Sequence, residues 1–172
     1  MTTAQKELPD GWNIVPFDSL VEFRNGVSFG KENFGYGMKV IGVKDFKDYS
    51  TPQYEDLAEI NPEGIIKEQD MLADQDLLFV RSNGNRELIG RSLYITNLSE
   101  PIIHSGFTIR ARFKSPDALP RFYAHVMKSP LVRSHLSTYG GGGTNISNLN
   151  QRILGTLPVP IRPIKQQRVI AE

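Results

Sequence analysis

The sequence has no cysteine. Disulfide frameworks, thiolate zinc sites and cysteine nucleophiles are excluded together, and a reducing compartment is the natural setting. No uninterrupted apolar run reaches bilayer-spanning length. The opening MTTAQKELPD lacks the apolar core that a signal peptide needs. A cytoplasmic location is therefore expected. There are 3 histidines, His104, His125 and His135. They fall on separate predicted elements with no acidic residue at metal-ligand spacing, so neither a metal nor a cofactor is expected. His125 and His135 read as helix-surface residues. The 172 residues suffice for one domain with a sizeable core.

Acidic residues are also scarce in one part of the chain. Residues 1–100 carry 10 lysines and arginines against 17 aspartates and glutamates, whereas residues 101–172 carry 10 against 2, Asp117 and Glu172. A net +1 thus conceals an acidic first part and a basic second part. Such a basic segment suits a phosphate backbone, whose neutralisation releases counterions. Interleaving of the two segments in the fold would cancel the asymmetry in space.

Several catalytic patterns fail on inspection. Gly26-Val-Ser-Phe-Gly30-Lys31 is one residue short of a phosphate loop, and Glu32 stands where the magnesium-binding hydroxyl belongs. Pro9-Asp10 with Asp45-Phe-Lys47 is too short a string to establish a metal-dependent nuclease. No cofactor-gripping glycine loop, Asn-Pro-Pro-aromatic string or Gly-x-Ser-x-Gly elbow occurs. No catalytic residue is nominated.

The coarse pattern predicts a mixed α/β (α+β) fold: a central β-rich region with short flanking helices. Val15 to Phe23 repeats apolar residues at three- and four-residue spacing, which predicts a short helix with Pro16 in its first turn and Gly26 as its left-handed cap. A glycine-rich loop to Gly37 follows. Strands are expected at Lys39–Val43, Asp76–Val80, Leu88–Thr96 and Phe107–Phe113. In the last, Phe107, Ile109, Ala111 and Phe113 share one face, while Thr108, Arg110 and Arg112 face solvent or a ligand. Leu119 to Tyr139 reads as helix broken at Pro130. A short helix capped by Ser147 or Asn148 runs to Leu154. Leu157-Pro-Val-Pro160 is too proline-rich for a central strand, and a final helix begins after Pro163.

Two constellations carry possible chemistry. Ser82-Asn-Gly-Asn85 supplies a tight hairpin turn flanked by Arg81 and Arg86, with Arg91 beyond. Arginine reads guanine, and asparagine reads adenine, each bidentately in the major groove. Asn-Gly is equally the preferred residue pair for a hairpin turn, with no ligand implied. The second is Gly140–Gly143 followed by Thr144, Asn145 and Arg152. Its glycines and a helix start suit phosphate contact, and they equally suit a flexible connection.

Leu8-Pro-Asp-Gly-Trp12, then Phe79-Val-Arg-Ser-Asn-Gly-Asn85 with Ile89-Gly-Arg91, then Gly142-Gly-Thr-Asn-Ile-Ser-Asn-Leu149 and Leu157-Pro-Val-Pro160 follow one another over nearly the whole chain. In this order they resemble a target recognition domain from the DNA-specificity subunit of type I restriction–modification systems. The resemblance implies a non-catalytic reader of double-stranded DNA in the major groove. In that family two such domains, separated by long helices, read the halves of a split site, and those helices hold methyltransferase subunits that a nuclease–translocase subunit joins. On this reading residues 1–162 are the recognition domain and 163–172 begin a spacer helix. Arg81, Ser82, Asn83, Asn85 and Arg86 are the expected base-reading residues. Arg91, Arg110, Arg112, Thr144, Asn145 and Arg152 are the expected backbone contacts. The family's usual Glu-Gln after the proline run is Gln166-Gln167 here. Competing readings are the recognition domain of a fused type II restriction–methylation enzyme, a protein-interaction module, and a nuclease using Asp45 and Lys47.

Overall fold

Pro16 and its β-branched neighbours decide how the chain begins. The expected helix from Val15 is absent: Asn13–Pro16 is a strand (β1), Phe17–Ser19 a single 3₁₀ turn, and Val21–Asn25 a second strand (β2). Pro16 is extended, at φ −68° and ψ 142°, and valine and isoleucine favour strands. The turn directs Phe17, Leu20 and Val21 into one core, so it satisfies the three- and four-residue spacing that suggested a helix. This computed structural model describes residues 10–47, 50–138 and 148–172. The expected turn residues Leu8 and Pro9, and the loop residues Tyr139 to Ser147 with Thr144 and Asn145, lie outside them.

The remaining described strands are β3 (Phe34–Ile41), β4 (Ala58–Ile60), β5 (Leu77–Val80), β6 (Ser92–Tyr94), β7 (Ile102–His104), β8 (Thr108–Phe113) and β9 (Pro158–Ile161). The helices are α1 (Pro120–Val126), α2 (Pro130–Ser137), α3 (Gln151–Gly155) and α4 (Ile164–Ala171). The fold is mixed α/β, and the helix break at Pro130 falls where proline requires it. Three expectations shift. The glycine-rich stretch contributes to β3 instead of remaining loop, and the strand expected from Leu88 shrinks to β6. The cap of α3 is Asn150, whose Oδ1 accepts the Ile153 N–H at 2.8 Å, not Ser147 or Asn148.

An antiparallel sheet in the order β2-β8-β5-β6 forms the centre. One face, through Leu77, Phe79, Ile109 and Ala111, packs on Phe122, Tyr123, Val132 and Leu154 of the helices. The other, through Leu78, Val80 and Leu93, packs on Ile41 and Ile102 of a second sheet, ordered β4-β3-β7. The alternation in β5 and β8 thus sets two layers of core. β1 and β9 pair apart from both, Asn13 opposite Ile161, which places proline-rich β9 outside the central sheet as expected. Arg162 lies over the Trp12 ring, 3.9 Å from its centroid, and donates to Gln166 Oε1. Gln167 is fully buried. Its amide donates to the carbonyls of Asp117 and Arg162, and its Oε1 accepts the Leu119 N–H, which pins α4 to the start of α1.

Between the sheets lies a buried polar group. His104 is fully enclosed, with Nδ1 2.9 Å from Thr108 Oγ1. Thr108 spends its only proton on the Ser105 carbonyl, so His104 Nδ1 must carry the hydrogen of that contact. Nε2 has no partner among the described residues. Burial, then the Arg110 charge, hold the imidazole pKa down to about 3, with Asp70 opposing and Arg24 and Arg112 assisting. An unfolded His104 takes up a proton below its ordinary 6.5, whereas the folded one refuses it until about pH 3. Folding stability therefore falls as pH drops through that window, by up to about 1.4 kcal/mol per pH unit. Urea midpoints at pH 7 and pH 4.5 measure this, and His104→Gln is expected to flatten the dependence.

Candidate nucleic-acid interface

The structure separates the arginines that sequence alone put together. Strand β8 alternates as expected, but its polar face is covered. Arg110 is 7% exposed. Its Nη1 donates to the carbonyls of Gln69 (2.9 Å) and Met71 (3.1 Å), and burial lowers its pKa. Arg112 grips Asp76 with two bonds, Nε to Oδ1 at 2.9 Å and Nη2 to Oδ2 at 2.8 Å, and donates to Met71 as well. The Asp76 side chain is 1% exposed. Across the ladder Arg24 faces Arg110, and Asp70 accepts from Arg24 at 2.7 Å. Burial acts to raise the Asp70 pKa, but the Lys67 N–H and Arg24 outweigh it and keep the carboxylate below its usual range. The expectation that Arg110 faces solvent or a ligand is corrected, since it is buried; Arg112 keeps a side chain 39% exposed, and both fasten residues 67–76 to the sheet.

The other candidates gather at one end of the central sheet, where β5 ends and β8 begins. Arg81 N and Ser82 N donate to the Phe107 carbonyl (2.8 and 3.4 Å), Arg81 Nη1 to the Gly106 carbonyl (3.2 Å), and Leu149 N to the Arg81 carbonyl (2.8 Å). Gly106 N bonds back to Val27, and Gln151 Nε2 donates to Asn25 Oδ1 at 3.1 Å. Four segments thus converge: the end of β2, residues 81–91, the turn 105–107 and the start of α3. Gly26 is needed for close approach and not as a helix cap, since a Cβ there would collide with the carbonyls of His104 and Ser105.

Residues 81–91 are not the tight hairpin that Asn-Gly suggested. Val80 and Arg91 close the ladder, and Arg86–Leu88 forms a 3₁₀ turn. Asn83 Oδ1 accepts the Asn85 N–H (2.8 Å), and Asn85 Oδ1 accepts the Glu87 N–H (3.1 Å). Both asparagines therefore shape the loop first; their amide N–H₂ groups stay exposed with the tip. Leu88 and Ile89 anchor the returning arm in the core. Gly90, at φ +86°, makes the turn back into β6. Arg86 is exposed and forms no ion pair or side-chain hydrogen bond among the described residues. Arg91 sits at the opposite arm, donating to the Lys47 carbonyl at 2.8 Å. Arg152 is exposed on the first turn of α3.

Sequence reasoning missed Phe107. It was placed on the apolar face of β8, yet the strand begins at Thr108, and Phe107 is 62% exposed beside Arg81. The only signal for it was Gly106, which ends the alternation one residue early. Asp45, weighed as a nuclease ligand, accepts from Gly42 N and pairs with Lys44. Among the described residues no three histidines, aspartates or glutamates are placed to hold a metal.

Fold and surface define a mixed α/β domain that presents a rigid, arginine-tipped loop from one sheet end. No family model matches the chain. Over 96% of its length, however, it is 26% identical to the EcoKI specificity subunit of Escherichia coli (strain K12), a type I restriction enzyme, and 25% identical to the StySPI specificity subunit of Salmonella potsdam. The HsdS subunit from Thermoanaerobacter tengcongensis superposes on 98% of the chain with a TM-score of 0.65 at 14% identity. The type I restriction–modification S subunit from M. genitalium covers 94% with a TM-score of 0.63 at 13% identity. The chain is therefore a relative of the type I specificity subunits, and its fold is shared with theirs. It spans 36% of the length of both curated relatives, 38% of the HsdS chain and 37% of the M. genitalium chain.

The separation of the arginines is directly testable. Arg112→Leu leaves the buried Asp76 carboxylate with only the Ala73 N–H as donor, and is expected to cost about 1–3 kcal/mol of stability. Chemical unfolding measures it, and a variant of wild-type stability would return Arg112 to the ligand-binding set.

Proposed function

We propose that this chain is a target recognition domain of a type I restriction–modification specificity subunit, reading one half of a bipartite DNA site. It carries no catalytic site of its own; it directs methyltransferase and nuclease–translocase subunits to double-stranded DNA in the cytoplasm. Residues up to 162 form the reader, and α4 begins the spacer helix. The half-exposed Ile170 and strongly exposed Val169 suit a helix continuing into further packing. Among the described residues no helix is long and apolar enough to cross a membrane.

The observation that carries this reading is the sheet end itself. An unpaired arginine stands on a loop whose ends are closed by backbone hydrogen bonds between Val80 and residues 90–91, and an exposed aromatic sits where its carbonyl accepts from Arg81 and Ser82, which is the preorganisation a groove reader needs. Arg86 is the leading base contact, with the amides of Asn83 and Asn85 beside it and Arg81 and Ser82 at the loop base. Phe107 supplies apolar contact of the kind that distinguishes a thymine methyl. Arg91 and Arg152 flank the loop as backbone contacts, joined by Thr144 and Asn145.

Selection from a randomised duplex pool tests the function: a short defined motif is expected, and recovery of no motif at any salt concentration contradicts it. On the selected duplex Arg86→Ala is expected to lose about 1–3 kcal/mol and to relax preference at one position. Equal loss on scrambled DNA would remove Arg86 from base reading. Phe107→Ala is expected to relax one position while leaving the salt dependence unchanged, as competition binding at two ionic strengths will report.

A further inference from the structure

A second polar site lies away from the reading loop. Between α1 and edge strand β6 is a cavity of about 210 Å³, lined by Thr51, Ser92, Tyr94, Arg121, His125 and Lys128 among others, with no carboxylate among the described residues that line it. Arg121 and His125 stand one helical turn apart, so α1 presents both on one face. Neither side chain makes an ion pair or hydrogen bond among the described residues. Ser92 is 7% exposed, and its hydroxyl too has no hydrogen-bond partner among the described residues. Ser92 lines the cavity, so a bound group can supply that partner. Tyr94 N bonds to the Ser50 carbonyl at 2.8 Å, which brings residues 50 and 51 against β6 as part of the cavity wall.

The lining therefore offers the side-chain donors of Arg121, His125 and Ser92 to a bound group. The volume is below that of the ~300–1,000 Å³ pockets that enclose a drug-sized ligand, but ample for a tetrahedral oxyanion and its attached sugar. We infer that the α1–β6 cavity binds a phosphoryl group, with Arg121 and His125 as its principal contacts and Ser92 as an interior donor. Arg121 gives a phosphate paired N–H donors, and Ser92 gains the acceptor it lacks. The pairing of Phe79 with Ser92 and Leu77 with Tyr94 puts the cavity roughly 10 Å along the strand from the loop base at ~3.3 Å per residue. That spacing is no greater than the ~12 Å width of a major groove, so a phosphate of a duplex held by the loop is one source for such a group. The same phosphoryl chemistry could come from free phosphate. Only the DNA source rests on the recognition function proposed above.

Side-chain NMR of Arg121 and His125 tests the inference at constant pH. Inorganic phosphate is titrated against chloride at matched ionic strength, and then duplex DNA is titrated. Saturable shifts with phosphate, lost in Arg121→Gln, establish a phosphoryl site open to the free ion. Shifts with duplex alone assign the site to the DNA backbone, and Arg121→Gln then lowers the salt slope of duplex affinity by about one unit without changing base preference. Absence of any shift at Arg121 and His125 with either ligand overturns the inference. In that case a duplex that still binds through Arg86 leaves the recognition function intact. A cavity that saturates with phosphate in a protein that binds no duplex would do the reverse.

Discussion

Arg24, Arg110 and Arg112 bring three guanidinium groups to adjoining positions on β2 and β8; Asp70 pairs with Arg24, Asp76 with Arg112, and the buried Arg110 is held by the carbonyls of Gln69 and Met71, all from one segment. Residues 67–76 supply both carboxylates and two carbonyls to Arg110 and Arg112. An isolated buried charge would cost several kcal/mol; two ion pairs and the carbonyls that accept from Arg110 and Arg112 instead tie this segment to the sheet. Because Asp76 immediately precedes β5, this network also sets the strand from which the loop of residues 81–91 leaves. The basic character of the second half of the chain is thus divided: part of it is spent inside, and part remains on the surface.

What remains outside is held rigidly. The loop after β5 is closed at Val80 and Arg91, anchored by Leu88 and Ile89, and tied at its base to the Phe107 carbonyl. Contacts to the end of β2 and to Leu149 complete the frame. A reader needs its side chains presented without prior ordering cost, and here backbone hydrogen bonds and apolar anchors do the ordering. The α1–β6 cavity sits on the helix-facing side of the same sheet. The domain thereby separates a tip suited to base edges from a flank suited to phosphate.

Much of this was legible in the sequence, for identifiable reasons. Strand β5 follows from its apolar run, β8 from alternation, and the helix break at Pro130 and the helix after Pro163 from proline, and the ordered short motifs led to the right relatives. The Val15–Phe23 segment misled because a strand–turn–strand can bury residues at helical spacing. Alternation along β8 assigned Arg110 and Arg112 to the correct face, but a period says nothing about what covers that face; Asp70 and Asp76 reach it from a distant stretch. Asn83 and Asn85 have base-reading chemistry, yet both carbonyls serve the loop. Phe107 was hidden by a strand that starts one residue late. The β1–β9 pair joins the two ends of the described chain, a contact no local pattern can announce.

The claim on which the account depends is that DNA meets the end of the central sheet. Hydrogen–deuterium exchange of the domain, alone and with the duplex recovered by selection, tests it most directly. The account predicts added protection at residues 81–91, at 105–107 and around 148–152, with β1, β9 and α4 unchanged. Protection confined to α4 or to the β4-β3-β7 sheet, with the loop after β5 exchanging as in the free protein, would contradict it.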